Sequence, residues 1–191
     1  MCLFTIKVVH VMYKYSASVH HLNMIPVVML CFSCIYRAKH PVKVHIWAGI
    51  SLKGATGICI FEGIMKAPLY TQILEQTLPF IADVYPDGAK FMQANDPKHT
   101  SRFAAEWMER NGINWWKTPA ESPDLNPIEN LWHELKEYLR REVKPRQKQE
   151  LIDGIERFWH TVDREKCSRY IRHLKKVIPR VIELKGDATG Y

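Results

Sequence analysis

Residues 122–132 read SPDLNPIENLW, and this stretch specifies a loop that runs into the start of a helix. Asn126 is a favoured N-cap residue, Pro127 suits the first helical position, and Glu129 stands where its carboxylate can reach back to the Asn126 amide. Apolar residues then recur at helical spacing, at positions 128, 131, 132, 135 and 139. We therefore predict a helix that is capped by Asn126 and ends near Lys144.

The chain upstream of this helix alternates between strand and helix patterns. A short strand is predicted over residues 89–94, and a second one over residues 113–117. Between them, Thr100 or Ser101 can cap a helix that stops at Asn111 and Gly112. Strand, helix and strand in this order predict an α/β unit with a crossover connection.

The patterns on either side extend this architecture. Residues 42–47 alternate between apolar and polar side chains, as in a half-buried strand, and residues 55–61 are predicted to pair with them as a hairpin. Pro68 opens an amphipathic helix that ends near residue 85. Two further helices are predicted over residues 147–162 and 164–177, so the C-terminal region is helical.

Composition limits the class of protein. A chain of 191 residues with 47% hydrophobic content can form one domain with an appendage. Lys and Arg outnumber Asp and Glu by 27 to 20, which suits a polyanion such as nucleic acid but equally describes an ordinary solvated basic surface. The longest apolar stretch, residues 24–36, is too short to span a bilayer and contains Pro26, so no membrane partner is expected.

The first 40 residues differ from the rest because they contain no Asp or Glu. We place a boundary there, with an atypical segment over residues 1–40 and the main domain over residues 41–191. Cys31 and Cys34 form a C-x-x-C pair ahead of His40 and His45, but the spacing is too short for a zinc finger. We expect buried or incidental thiols, with zinc or redox chemistry as the alternative, and the role of the segment stays open.

Two ordered motifs in this chain resemble those of a known family. The run 95–101, NDPKHTS, and the run 122–132 are similar to the two signature blocks of the Tc-one/mariner superfamily of cut-and-paste transposases, and VHIWAGI at residues 44–50 resembles its hairpin. The resemblance covers residues 42–191. It implies a ribonuclease-H-like α/β fold, a mixed sheet flanked by helices. The helix-turn-helix modules that such enzymes carry ahead of this domain are not matched in residues 1–40.

The resemblance also implies a metal site, in which two aspartates and a glutamate hold two Mg²⁺ or Mn²⁺ ions. The glutamate maps onto Glu129, and the second aspartate maps 35 positions earlier, onto Ala94. The first aspartate belongs on the opening strand, where this chain has no acidic residue. Asp96 would stand about 6–7 Å beyond Ala94 on an extended chain, so we expect it not to replace the missing ligand. Productive binding of Mg²⁺ or Mn²⁺ is therefore not expected.

Each residue near this site also has an ordinary structural explanation. Glu129 can serve the Asn126 cap instead of, or beside, a residual metal contact. Lys98 and His99 lie next to the expected site and can approach phosphate, but a loop histidine is more often solvated or hydrogen-bonded. Trp115 and Trp116 point to opposite faces of a strand, so we expect one in the core and the other available for stacking on a base.

A basic cluster follows the signature helix and provides candidate contacts to the DNA backbone. Its members are Arg140, Arg141, Lys144, Arg146 and Lys148. A solvated helix face and a weak nuclear-import signal are the alternatives. By resemblance the partners are DNA, at transposon ends in the family, and a second copy or an intact transposase, with the nucleus as location.

Three hypotheses follow from these observations. The first is a fragment of a cut-and-paste DNA transposase that lacks catalysis because two of its three metal-binding carboxylates are missing. The second is a non-catalytic nucleic-acid-binding module derived from such an enzyme. The third is an incomplete translation of a longer active gene, in which upstream sequence supplies the first carboxylate.

Overall fold

The computed structural model describes residues 26–36, 42–93, 96–117 and 125–184. In the described part a mixed sheet lies between two layers of helices. The strands are β1 (Pro26–Tyr36), β2 (Val42–Ser51), β3 (Gly54–Ala55), β4 (Cys59–Phe61), β5 (Lys90–Gln93) and β6 (Trp115–Lys117). The helices are α1 (Ala67–Val84), α2 (Pro97–Thr100), α3 (Arg102–Arg110), α4 (Ile128–Tyr138), α5 (Lys148–His160) and α6 (Arg164–Glu183), and α4 continues into a π-helical turn over Leu139–Val143.

The order of the strands across the sheet is β3-β2-β1-β5-β6, and β4 also pairs with β2. β1 runs antiparallel to β2 and parallel to β5, which in turn runs parallel to β6. This mixed sheet with helices on both faces confirms the predicted ribonuclease-H-like architecture. From the sequence, residues 27–32 are the best candidate for the family's opening strand, and β1 includes them. β1 also extends the sheet across the boundary predicted near residue 40.

The predicted second strand of the hairpin is broken in two. Ile50 of β2 pairs with Ala55 of β3, whereas Trp47 pairs with Cys59 of β4, so the register shifts by one residue between them. Thr56 stabilises this break, because its hydroxyl accepts a hydrogen bond from the Gly49 amide at 2.8 Å. Its carbonyl also accepts one from the Trp159 indole of α5 at 2.9 Å. This contact joins residues far apart in sequence, so a local pattern does not predict it.

The sheet separates two hydrophobic cores. On one face the alternate residues Val44, Ile46, Ala48 and Ile50 of β2 pack with residues of α4, α5 and α6. On the other face Trp47 packs with residues of α1 and α3. Since Trp47 is 1% exposed, the expectation of a half-buried strand is wrong at this position, because a helical layer covers each face of the sheet.

The helices agree with the predictions where local signals decide them. α1 ends within a residue of its predicted stop, and Ser101 caps α3 by accepting a hydrogen bond from the Ala104 amide at 3.2 Å. The short helix α2 is not predicted. α6 continues past its predicted end, through Pro179, to Glu183. Among the described helices, none has both the length and the apolar composition that crossing a bilayer requires.

Candidate metal and nucleic-acid site

One edge of the sheet brings together the segments that hold the candidate residues. The carboxyl ends of the parallel strands β1, β5 and β6 meet at this edge, and there the antiparallel strand β2 begins and β4 ends. An open groove of about 460 Å³ lies here, lined by Lys43 and His45 of β2, residues 62–65 after β4, and Asp96 and Lys98. Position 94 follows directly on β5. This is the place where the sequence predicts a metal site.

The two aspartate positions of that site carry no carboxylate. Ala94 lies outside the described residues, but its neighbour Gln93 pairs with Met29 of β1 in parallel register. β1 has the sequence PVVMLCFSCIY, which contains neither Asp nor Glu. The strand beside β5 therefore supplies no acidic ligand to this edge of the sheet.

The carboxylate of Asp96, the candidate substitute ligand, already bonds to neighbouring groups of the same chain. Its carboxylate caps α2 by accepting a hydrogen bond from the Lys98 amide at 3.1 Å and also forms an ion pair with the Lys98 ammonium. Burial alone would raise the pKa of this carboxyl, but the hydrogen bonds and the charge of Lys98 outweigh burial and lower the pKa. Asp96 thus serves as a helix cap, and whether it also takes the place of a ligand at position 94 stays a prediction.

Glu129 lies in the first turn of α4 without the predicted cap. The N-cap is Pro127, which makes no side-chain cap, and the Asn126 Oδ1 atom is buried with no hydrogen-bond partner. Only the backbone carbonyl of Asn126 bonds to Glu129, accepting from its amide at 3.0 Å. The predicted reciprocal cap is therefore wrong, since this backbone bond takes the place of the side-chain contact.

The carboxylate of Glu129 is a partly buried charge that is poorly compensated. Burial raises its pKa, and the positive charge of Lys136 offsets this only in part. The described residues give this carboxylate no hydrogen bond. They also contain no group of three His, Cys, Asp or Glu side chains that could hold a metal ion. The described residues therefore do not fit a two-metal centre.

A buried polar network supports the segment that leads to position 94. The Tyr70 hydroxyl of α1 donates to Oε1 of Gln93, and Nε2 of Gln93 donates to the His99 carbonyl at 3.2 Å. The His99 ring lies 4.3 Å from the Tyr70 ring, centroid to centroid. All three residues are buried. The sequence analysis missed Tyr70 and Gln93, because nothing local distinguishes them from other residues of an amphipathic helix and a strand.

This network also changes the interpretation of His99. With 2% of the residue exposed, it cannot reach a phosphate in this conformation, so the expected DNA contact is not available. Lys98 remains at the groove, paired with Asp96. His45 lies there too, stacked on Phe61 with 5.4 Å between the rings, and burial together with Lys43 and Lys98 lowers its pKa. At neutral pH the groove therefore holds two lysines and an uncharged imidazole.

The predicted basic cluster surrounds the π-helical turn and is partly neutralised. Arg140 Nε and Arg141 Nε lie 3.0 Å and 2.9 Å from carboxylate oxygens of Glu137. Lys148 forms an ion pair with Glu62, beside the groove. Lys144 and Arg146 are exposed, and the described residues provide no ion pair for them. Three of the five candidate cations therefore have an internal acidic partner.

The tryptophan pair is placed only in part. Trp115 is half-buried and packs against the core formed by α1 and α3. The side chain of Trp116 lies outside the described part, so its role in base stacking stays a prediction. Cys31, Cys34 and the segment before β1 likewise lie outside the side chains that the structure describes.

Comparison with known proteins shows which family has this arrangement. Residues 33–152 match the family model described as DDE superfamily endonuclease. The transposable element Tcb2 transposase of Caenorhabditis briggsae is 30% identical over 150 residues, which are 78% of this chain and 55% of that protein. This chain thus spans about half the length of that relative.

Solved structures resemble the fold as well. The Mos1 transposase catalytic domain, in a structure with raltegravir and Mn, superposes with a TM-score of 0.73 at 16% identity over 84% of this chain and 83% of that one. The Mos1 paired-end complex with the left transposon end gives a TM-score of 0.73 at 16% identity, covering 86% of this chain and 56% of that one. At such low identity this likeness shows the fold alone.

Proposed function

Because the chain belongs to the DDE superfamily endonucleases, as a domain of the Tc-one/mariner transposase type, we propose that it binds DNA and does not cleave it. One observation carries the proposal. Of the three carboxylates that the family's metal site requires, Glu129 alone remains, since position 94 is alanine and β1 contains no acidic residue.

Loss of the ligands removes the chemistry for a physical reason. Two metal ions activate the attacking oxygen and stabilise the leaving oxygen of a phosphodiester, and each about 1.4 kcal/mol of that stabilisation corresponds to a factor of ten in rate. A lone carboxylate does not hold two divalent ions, which require several hard oxygen ligands each. Cleavage should therefore fall to background in this chain.

DNA binding does not depend on those ligands. Contacts between cationic side chains and phosphate need only positive charge at the surface, and the whole chain carries a formal charge of +7. The paired-end complex of Mos1 contains a transposon end, which supports DNA as the partner class here. Because phosphate contacts do not read bases, the binding proposed for this domain is independent of DNA sequence.

Nicking of supercoiled plasmid DNA in Mn²⁺ tests the loss of cleavage. The native chain is compared with Ala94→Asp, with Glu129→Gln and with a sample in which the metal is chelated. No nicking above the chelated sample is expected from any of them, since Ala94→Asp still leaves β1 without a carboxylate. Metal-dependent nicking by the native chain that Glu129→Gln abolishes would show that an unrecognised ligand completes the site.

The protein partner and the location are proposals that rest on the family alone. A second copy of this chain or an intact transposase is the proposed partner, and the nucleus is the proposed location. Light scattering on the purified chain distinguishes a dimer from a monomer. Imaging of the chain fused to a fluorescent protein tests nuclear accumulation, and exclusion from the nucleus would contradict the proposal.

A further inference from the structure

The last described helix, α6, has two faces of opposite character. Cys167, Ile171, Val177 and Val181 are buried and attach one face to the rest of the domain. The other face is exposed and rich in cations. We call it the α6 basic face, and it consists of Arg164, Arg169, Arg172, Lys175, Lys176 and Arg180.

Most of these cations have no acidic partner within the domain. Arg180 forms an ion pair with Glu183 at 2.6 Å, and the charge of Arg169 helps to lower the pKa of Glu134. The described residues form no ion pair with the other four, and Glu165 is the acid that lies beside Arg164, Arg169 and Arg172. In contrast, three of the five cations around the π-helical turn are paired with Glu137 or Glu62. The α6 basic face is therefore the less neutralised of the two basic surfaces.

The dimensions of this face suit a linear polyanion. At about 1.5 Å of rise per residue, the helix from Arg164 to Arg180 extends about 24 Å. Duplex DNA carries one negative charge per about 1.7 Å of its axis, so several phosphates lie within the reach of long, flexible side chains. Such contacts fix position on the backbone and do not read bases.

Two other partner classes fit the face less well. A helix that binds a membrane inserts its apolar face, but the apolar face of α6 is already buried in the domain. Protein interfaces centre on apolar or aromatic anchors, and over residues 164–180 the described face exposes no large hydrophobic residue. Its exposed character is charge, which favours nucleic acid.

We propose that the α6 basic face is the surface through which this chain binds the phosphate backbone of duplex DNA. The inference rests on the proposed function and adds its location, away from the groove at the sheet edge. It also replaces the cluster around residues 140–148, the candidate surface that the sequence analysis names beside a solvated helix face, by a surface with fewer internal ion pairs.

A pair of charge-matched variants tests this location. The first combines Arg169→Gln, Arg172→Gln and Lys176→Gln, and the second combines Arg140→Gln, Arg141→Gln and Lys148→Gln. Each removes three positive charges. Affinity for a fluorescently labelled duplex is measured by anisotropy between 50 and 200 mM salt, a range chosen because phosphate contacts are sensitive to it.

The α6 variant should bind more weakly and should lose about 2.7 from the slope of log affinity against log salt, since each phosphate contact contributes about 0.9. The variant at residues 140, 141 and 148 should lose less of the slope. A double variant, Arg169→Lys with Arg172→Lys, keeps both charges and should keep the native slope. Thermal unfolding of each variant checks that it is folded. The α6 variants should change little, because the replaced side chains are exposed, whereas the variant at residues 140, 141 and 148 loses ion pairs and should be somewhat less stable.

The outcomes separate the inference from the proposed function. No binding by the native chain at 50 mM salt would refute DNA binding itself. Native binding with an unchanged slope in the α6 variant would refute only the location on α6. Equal losses in the two charge-matched variants would show that net charge decides the affinity, and would overturn the location on α6. An equal loss in the lysine variant would show that a property other than charge is responsible, and would overturn it as well.

Discussion

Replacing Glu129 by glutamine should stabilise the protein at neutral pH. The residue is partly buried, its carboxylate receives no hydrogen bond from the described residues, and its pKa is raised because burial disfavours the charged form more than Lys136 favours it. An acid whose folded-state pKa is raised weakens the fold when it is ionised. This penalty is complete above the folded pKa and disappears as pH falls through it towards the value of the unfolded chain.

A fully buried, unsatisfied polar group costs about 1–3 kcal/mol. Glu129 is only partly buried and Lys136 compensates part of its charge, so the gain should be about 1 kcal/mol or less. A gain of about 1 kcal/mol raises the unfolding midpoint by about 2–4 °C in a chain of this size. Urea denaturation of the native chain and of Glu129→Gln, at several pH values between 4 and 8, measures the difference directly. We expect it to be largest at pH 8 and absent at pH 4.

A matched control lies on the same helix. Glu134 is compensated, because its Oε2 lies 2.8 Å from the Lys166 ammonium and its Oε1 accepts from the Tyr170 hydroxyl. Burial would raise the pKa of this carboxyl, but these partners on α6 outweigh burial and lower it. Its contribution to stability is present above the unfolded pKa and is lost as pH falls through the lower folded value. Glu134→Gln should therefore destabilise at pH 8, by about 1 kcal/mol given its partial exposure.

A loss of stability in Glu129→Gln at pH 8 would refute this reasoning. It would mean that the carboxylate makes a favourable contact, such as the cap on Asn126 that the sequence predicts and the structure does not form. A gain that persists at pH 4 would also refute it, because a protonated glutamate and a glutamine should then differ little.

Three further predictions concern the framework around the site. Tyr70→Phe leaves the Gln93 carbonyl oxygen buried without its hydroxyl donor and should lower the free energy of unfolding by about 1–3 kcal/mol, measured in urea; an unchanged midpoint would contradict the network. Ser101→Ala removes the cap of α3 and should cost about 1 kcal/mol, whereas Ser101→Asp should retain most of the native stability. In Gly154→Ala the new Cβ would lie 2.9 Å from Val143 Cγ1, so overpacking of about 1–3 kcal/mol should exceed the gain in helix propensity of about 1 kcal/mol. Thermal unfolding decides the sign of that change, and a more stable alanine variant would show that the π-helical turn can yield.

The sequence predicts best what neighbouring residues decide. The cap by Ser101 and the alternation in β2 depend on side chains a few positions apart, and both are present in the structure. The pairing of Arg140 and Arg141 with Glu137 can equally be predicted from sequence spacing, since residues three and four apart face each other on a helix. The ion pair of Lys148 with Glu62 cannot be predicted from local sequence, because it joins two segments that only the folded structure brings together.

The start of α4 and the burial of His99 show where local reasoning fails. Asparagine is favoured at helix N-caps, but the Oδ1 atom of Asn126 is buried and has no hydrogen-bond partner among the described residues. Tertiary packing therefore overrides the local preference. His99 lies within the motif NDPKHTS, which the sequence analysis places in a loop, where a histidine is more often solvated or hydrogen-bonded. It is buried because α1, many positions earlier in the chain, places Tyr70 against its ring.

Loss of the catalytic ligands and retention of the fold are physically compatible. Carboxylates that converge on a metal site repel one another and lose solvation, so they weaken a fold when no metal is bound. An alanine at position 94 and apolar residues in β1 remove that penalty, while the two hydrophobic cores on either side of β2 need none of the ligands. Glu129 is then the part of the old site whose charge still opposes folding. The basic face on α6 is held to the domain by apolar contacts and by the contacts of Lys166 and Tyr170 with Glu134. None of these contacts involves the three ligand positions, so the proposed DNA binding is compatible with the proposed absence of cleavage.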